Sequence, residues 1–278
     1  MRAPFFASEV VMPFEKHVLD NGPWSVSKLG VIEKCSQQFF YKYAEKRPEV
    51  LPASPESRVG TAVHSAMEHA LKGTDVGRAL MMAGKIHELT SMELEELDAR
   101  SEQVADFVKR VGMFKQRHGI RDMHIEQKWG LTVDFRSTAF FAKDVFFRGV
   151  VDLAMVPSNG DLIIIDHKSG KERPLEYYAP QLKVYAIMGL ARFPETRNIK
   201  FGINYITTNK MVWGDITPAD VVRGEYQPWL VDYMNETCKG LTTTPAPNPS
   251  RLCDWCGYKP ICPAFAEVSS ATDKSEQE

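Results

Sequence analysis

Apolar positions along this chain change period twice, and the changes divide it into a helical part, a strand-rich part and a loop-rich end. After an irregular lead-in (residues 1–23), Ser25 or Ser27 can N-cap a helix. Leu29, Ile32, Phe39, Phe40 and Tyr43 mark its apolar face, with Cys35 inside the same segment. Three prolines end it, and Glu49 to Ser57 reads as a loop. A helix opening at Gly60 carries Ala62, Val63, Ala66, Met67, Ala70 and Leu71 on one side. Gly77 to Leu89 follows as another helix. Thr90-Ser91-Met92-Glu93 is a capping box for one long helix, with Leu94, Leu97, Val104, Phe107, Val108, Val111 and Phe114 at helical spacing, stopping at Gly119.

From Met123 the period becomes two. Ile125, Gln127, Trp129, Leu131 and Val133 alternate with Glu126, Lys128 and Gly130, the pattern of a strand, and Thr138 to Ala142 can pair back onto it. Phe147 to Asp152 is a second strand ending in an acid. Leu162 to Ile165 is an unbroken apolar run, as expected of a strand buried on both faces, and it leads into Asp166-His167-Lys168. A helix through Gln181 and Tyr185, strands over 199–207 and 210–214, and a helix from Thr217-Pro218 to about Lys239 complete the regular elements. The order predicts a mixed α/β (α+β) domain, a mostly antiparallel sheet flanked by helices. The expected divisions are a lead-in (1–23), a main domain (24–240), a cysteine-bearing segment (241–263) and a polar tail (264–278) read as disordered.

Composition is that of an ordinary globular protein, 44% hydrophobic and 25% charged. A formal net charge of −2 means that any nucleic-acid contact must come from a local patch. Lys109, Arg110, Lys115, Arg117 and Arg121 form such a cluster at the end of the long helix, a solvated face or a phosphate track. No apolar run reaches the length of about 18 residues that spans a bilayer, so no membrane is involved. Met1 to Glu15 lacks a secretory pattern, and a reducing cytoplasmic location is expected. Cys253, Cys256 and Cys262 stand as C-x2-C-x5-C, with Cys35 far upstream; a metal site suits that compartment better than disulfides.

A buried strand running into acid-x-base is costly unless a cation or partner compensates the charge. Asp152 and Asp166 can offer oxygens to Mg²⁺ or Mn²⁺, and the backbone carbonyl of His167 can add another. Lys168 points to the same side of its strand as Asp166, where it can act on a water or a phosphate. His64 on the earlier helix can complete the metal shell; Glu126, and Glu68 one turn from His64, are further candidates. A buried salt-bridge cluster is the structural alternative.

Together, Ser25-x-Ser27-x-Leu29 leading to Cys35, His64, Gly149-x-x-Asp152, Asp166-x-Lys168, Gln181-x-x-x-Tyr185 and the three late cysteines resemble one family. It is the RecB-like branch of the PD-(D/E)xK nucleases, and within it the iron–sulfur type typified by CRISPR-associated Cas-four exonucleases and their phage relatives. Val151 stands where the superfamily's name-giving proline would be, and Ser36 where the iron–sulfur type commonly has proline. The resemblance covers about residues 24–263. It implies a restriction-endonuclease-like core, metal on His64, Asp152 and Asp166, a catalytic Lys168, and Gln181 and Tyr185 as an accessory pair over the site. It also implies a [4Fe–4S] cluster on Cys35, Cys253, Cys256 and Cys262, where four thiolates would suit zinc equally well on chemistry alone. The expected activity is a metal-dependent DNA exonuclease. Without a Walker A pattern the chain has no motor, so single-stranded or frayed DNA ends are the expected substrate. Tyr177, Tyr178 and Trp255 are candidates for base stacking. Homo-oligomers and recombination or CRISPR-adaptation partners are compatible with the family. A catalytically inactive DNA-binding or recombination-accessory module and a zinc-stabilised scaffold are the alternatives.

Overall fold

The computed structural model describes residues 14–242 and 244–265; the side chains of Arg121 and Thr242 lie outside the description. Expectations for residues 1–13 and 266–278, and for Arg121 as a DNA contact, therefore lie outside the described residues. The lead-in is not wholly irregular. Its short helix α1 (Lys16–Leu19) buries Val18, whose carbonyl accepts a 2.8 Å hydrogen bond from the indole of buried Trp24.

Helix α2 (Val26–Lys34) is capped by Ser25, whose side chain accepts from the Lys28 N–H. It does not continue through Cys35. That residue is extended (φ −167°, ψ 114°) and separates α2 from α3 (Ser36–Phe39). The next helix, α4 (Pro55–Leu71), starts five residues before Gly60. Ser54 caps it, and Pro55 supplies a preset φ at a position with no N–H to lose. The predicted apolar side of α4 is buried throughout. Helix α5 (Val76–Ile86) follows. The predicted single long helix is two, α6 (Ser91–Asp98) behind the Thr90 capping box and α7 (Ser101–His118), which ends at left-handed Gly119 (φ +55°).

The sheet has six strands in the order β2-β1-β3-β4-β5-β6. They are β1 (Ile120–Leu131), β2 (Ser137–Thr138), β3 (Phe147–Pro157), β4 (Leu162–Lys168), β5 (Asn198–Tyr205) and β6 (Lys210–Pro218). All pairs are antiparallel except β4 with β5, which are parallel and joined through α8 (Ala179–Arg192). Strand β2 is shorter than predicted, and β6 longer. Pro218 is therefore the residue before the helical turn α9 (Ala219–Val221), not its first residue, and a π turn carries the chain on into α10 (Gln227–Cys238).

Helices cover both faces. One core joins α2, α8 and α10 to Trp129, Leu131, Val151, Leu162 and Ile164; the other joins α4, α5 and α7 to Ile125, Leu153, Ile163 and Ile165. Strand β4 alternates between the two cores, which is why its apolar run is unbroken. Gly189 lets α8 lie close on β4: a Cβ there would stand 2.6 Å from the Leu162 side chain.

Candidate metal and nuclease site

The sheet splits where the acids sit. Strand β3 pairs with β4 only from Leu153 to Met155, opposite Ile165 to Ile163. Beyond Leu153 the strands part, and the Asp152 carboxylate crosses the gap to accept a 2.6 Å hydrogen bond from the His167 N–H. The Lys168 carbonyl accepts from Ile206 on the β5 side. Since strand groups alternate, His167 turns its N–H and C=O towards the opening, which leaves its carbonyl facing the site.

At the same level β1 and β3 turn over. Residues two apart on a strand share a face, yet Ile125 and Leu153 pack in the α4 core while Trp129 and Val151 pack in the α8 core. The register skips the Glu126–Asp152 pair, and Glu126 has a positive φ (+51°), uncommon for a non-glycine residue. Thus the predicted single apolar face of β1 is divided at Glu126. Glu126, Asp152 and His64 each offer one ligand atom, all within 4.8 Å of one another, the only such group of three among the described residues. They line an open groove with Val150, Gly60 and Ser169. A Cβ on Gly60 would meet the Ser169 hydroxyl at 2.7 Å, so the glycine keeps α4 close to the loop after Lys168.

From the α8 side, one amide organises the acid and the base. Gln181 donates to Asp166 Oδ1 (2.8 Å) and to the Tyr185 hydroxyl (3.0 Å), and accepts from Lys168 Nζ (3.1 Å). Tyr185 in turn donates to the Val150 carbonyl (2.8 Å). Neither side chain hangs over the site with free donors, as the family pattern led us to expect; both are spent on aligning protein groups. Lys168 Nζ lies 2.6 Å from Asp166 Oδ2, an oxygen that is buried and accepts no hydrogen bond of good geometry.

The charges are poised for a cation. Burial, then the neighbouring Asp152, push the Asp166 carboxyl up to about 6 against the pull of Lys168. Burial and Asp152 push Glu126 up to about 7. Burial also works against the charged form of Asp152, but His64 and His167 beside it hold the carboxyl below its usual range. Burial likewise disfavours the His64 imidazolium, yet the surrounding carboxylates, Asp152 foremost, hold it above its ordinary value. The side chain of His167, 2% exposed, is kept neutral by burial, down to about 4, and meets Asn204 at 3.2 Å and the edge of Phe107. Asn204 was missed in the sequence; only its position on a strand beside β4 could have marked it.

Other predicted residues fall elsewhere. Glu68 pairs with Lys72. Arg110 donates to Asn209 Oδ1 (2.6 Å) and lies half-buried, whereas Lys109, Lys115 and Arg117 are exposed. The end of α7 adjoins Ile120, six residues along β1 from Glu126, or about 20 Å of strand. Tyr178 is buried under Lys168 and is closed to stacking, while Tyr177 and Trp255 are exposed.

All four predicted cysteines line one cavity, although Cys35 comes from the α2–α3 break and the others from 3-10 turns. The Asn248 N–H points at Cys35 Sγ (3.4 Å) and the Ser250 N–H at Cys253 Sγ (3.3 Å). Tyr41 packs on buried Tyr258, whose hydroxyl donates to the Arg47 carbonyl (2.9 Å). The fifth cysteine, Cys238, is buried, and burial pushes its thiol up to about 12.

Residues 23–263 match the model of the PD-(D/E)XK nuclease superfamily. No curated protein sequence matches the chain. Among solved structures, that of SSO0001 is 15% identical over 73% of this chain and 95% of its own, with a TM-score of 0.33. That of protein VC1899 from Vibrio cholerae is 11% identical over 79% of this chain and 57% of its own, with a TM-score of 0.26.

Proposed function

We propose that this chain, which belongs to the PD-(D/E)XK nuclease superfamily, is a metal-dependent DNA exonuclease of the RecB-like, iron–sulfur type acting on single-stranded ends. The observation that carries the reading is the split between β3 and β4, where His64, Glu126 and Asp152 converge next to the Asp166–Lys168 pair. Three ligand atoms within 4.8 Å, with Glu126 and the neighbouring Asp166 pushed up by burial and then by Asp152, form a donor set for Mg²⁺ or Mn²⁺. Bound there, such an ion supplies Lewis acidity towards a phosphodiester and lowers the pKa of a water. Glu126, which the sequence ranked behind Asp166, joins His64 and Asp152 as a ligand, and the His167 carbonyl is available from the gap.

The chain's own groups do the rest. Lys168 presents its ammonium to the charge that grows on the phosphate oxygens. Gln181 fixes that ammonium and Asp166 with one planar amide, and Tyr185 locks the amide to the Val150 carbonyl. These are positioning roles.

For the cysteines, we favour a [4Fe–4S] cluster over zinc on the family resemblance. All four cysteines line one cavity. The two N–H groups aimed at sulfur suit thiolates that carry charge.

The test is cleavage of end-labelled single-stranded DNA by anaerobically purified protein with Mn²⁺, Mg²⁺ or EDTA, beside Lys168→Ala. Metal-dependent shortening from one end, lost in the variant, is expected. Iron-loaded, folded protein that leaves DNA intact with either ion would overturn the enzymatic reading.

A further inference from the structure

The loop between β2 and β3 exposes a large ring for which the fold itself has no use. Phe141 is 77% exposed, and its neighbour Phe140 meets it edge-on with ring centroids 4.9 Å apart. Two cations border this pair. Lys128 Nζ lies 6.0 Å from the Phe140 centroid and 5.9 Å from that of Phe141, and the Arg148 guanidinium lies 5.2 Å from Phe140. Among the described residues neither cation forms an ion pair.

Their position is decisive. Lys128 stands directly opposite Val150 in the β1–β3 ladder, so the two share a face of the sheet. Val150 lines the groove that holds His64, Glu126 and Asp152. Arg148 is two residues from Val150 and on the same face. Measured along β1, Lys128 is two residues, about 7 Å, from Glu126. The exposed cations of α7 are distant by comparison. An exposed ring, Phe141, backed by half-buried Phe140, bordered by cations outside any ion pair and continuous with the cleavage groove has the chemistry of a single-strand platform, a ring for base faces and cations for phosphates.

We infer that Phe140, Phe141, Lys128 and Arg148 dock the single-stranded segment next to the scissile phosphate, with a base stacked on Phe141 and phosphates on Lys128 and Arg148. The inference rests on the nuclease reading and adds to it the surface that selects single strands. Within a duplex the base faces are already stacked and unavailable to Phe141.

The experiment measures binding separately from cleavage. Affinity of the full-length, iron-loaded protein for a labelled oligo-dT is read by fluorescence anisotropy over a salt series. The Lys168→Ala background keeps the DNA intact. Added there, Phe141→Ala should weaken binding about 10-fold with the salt slope unchanged, and Phe141→Trp should restore it to within about two-fold, since stacking needs only a ring. The pair Lys128→Gln and Arg148→Gln should lower the salt slope by about 1.4, two phosphate contacts on a single strand. Thermal melts matching the parent would show each variant folded. Unchanged affinity in folded Phe141→Ala, or equal losses for duplex and single-stranded DNA, would overturn the platform. A wild-type protein that cleaves nothing, yet binds oligo-dT through Phe141, would instead overturn the nuclease reading and leave the platform standing.

Discussion

On the proposed reading, the carboxylate site and the cysteine cavity would each hold a cation, but by opposite means. The carboxylates sit on strands of the central sheet, and their alignment is over-determined: Asp152 is held by the His167 N–H, and Asp166 by Gln181, which Tyr185 braces. The cysteines sit on a helix break and on 3-10 turns near the two ends of the described chain, with Tyr41 and Tyr258 as the main packing beside them. On that reading the first site is pre-formed, and a metal would relieve the burial of its acids. At the other, the bound group would contribute the order, because short turns bury too little to hold themselves. Losing the first cation should therefore cost activity, and losing the second should cost structure.

The sharpest test of that contrast pairs Lys168→Ala with Cys253→Ser. Lys168→Ala should lower the cleavage rate about 10²–10³-fold, as for removal of one preorganised donor to transition-state charge. Its melting temperature should change little, since the ammonium is partly exposed and Gln181 still holds Asp166. Cys253→Ser should lose iron, read from its absorbance, lower Tm by about 10 °C and open residues 241–263 to proteolysis. If Cys253→Ser kept its Tm, or Lys168→Ala lost its own, the division of labour would fail.

Next comes pH. In metal-free protein Glu126 sits at about 7 and His64 above its ordinary value. Both are raised in the folded state, so the folded protein holds more protons than the unfolded chain, and stability falls as pH rises through those values. His167, lowered to about 4, works the opposite way, but its contribution is complete by about pH 6.5, its unfolded value. The clean window is therefore about pH 6.5 to 8. There Tm in EDTA should drop, while Mn²⁺ binding tightens as Glu126 and His64 lose their protons. The Tm gap between Mn²⁺ and EDTA should widen with pH. A constant gap would remove Glu126 and His64 from the metal shell.

Much of this was legible because periodicity and motif agreed. Strand β4 was identified by its four consecutive apolar residues, since alternate ones fill two cores, and Gln181 and Tyr185 by their four-residue spacing on a helix. What stayed hidden was non-periodic. The left-handed Glu126 and the turning-over of β1 and β3 break the period-two pattern on which the strand was recognised, so the acid facing His64 ranked behind others. The Ser54-Pro55 start of α4 was hidden because three nearby prolines signalled a loop. The break at Cys35 is set by a docking contact, in which the Gln37 N–H donates to the Ala246 carbonyl at 3.3 Å, a partner more than 200 residues away. No local pattern carries that information.

The smallest effect separates the basic face of α7 from the proposed DNA surface. Arg110 looked like one of five equivalent cations, yet it donates to the Asn209 side chain while Asp106, one turn earlier, accepts from the same amide. Asn209 is a left-handed residue (φ +51°) at the β5–β6 turn, so the two α7 side chains clamp that turn against the helix. Arg110→Ala should cost about 1 kcal/mol in urea unfolding, the net worth of a half-buried hydrogen bond, with affinity for oligo-dT unchanged. Lys115→Gln with Arg117→Gln should change neither, because those cations are exposed and lie at the far end of β1 from Glu126. Were Arg110→Ala to weaken DNA binding at full stability, α7 would be part of the DNA surface. The substrate would then extend along the whole α4–α7 face rather than enter past Phe141.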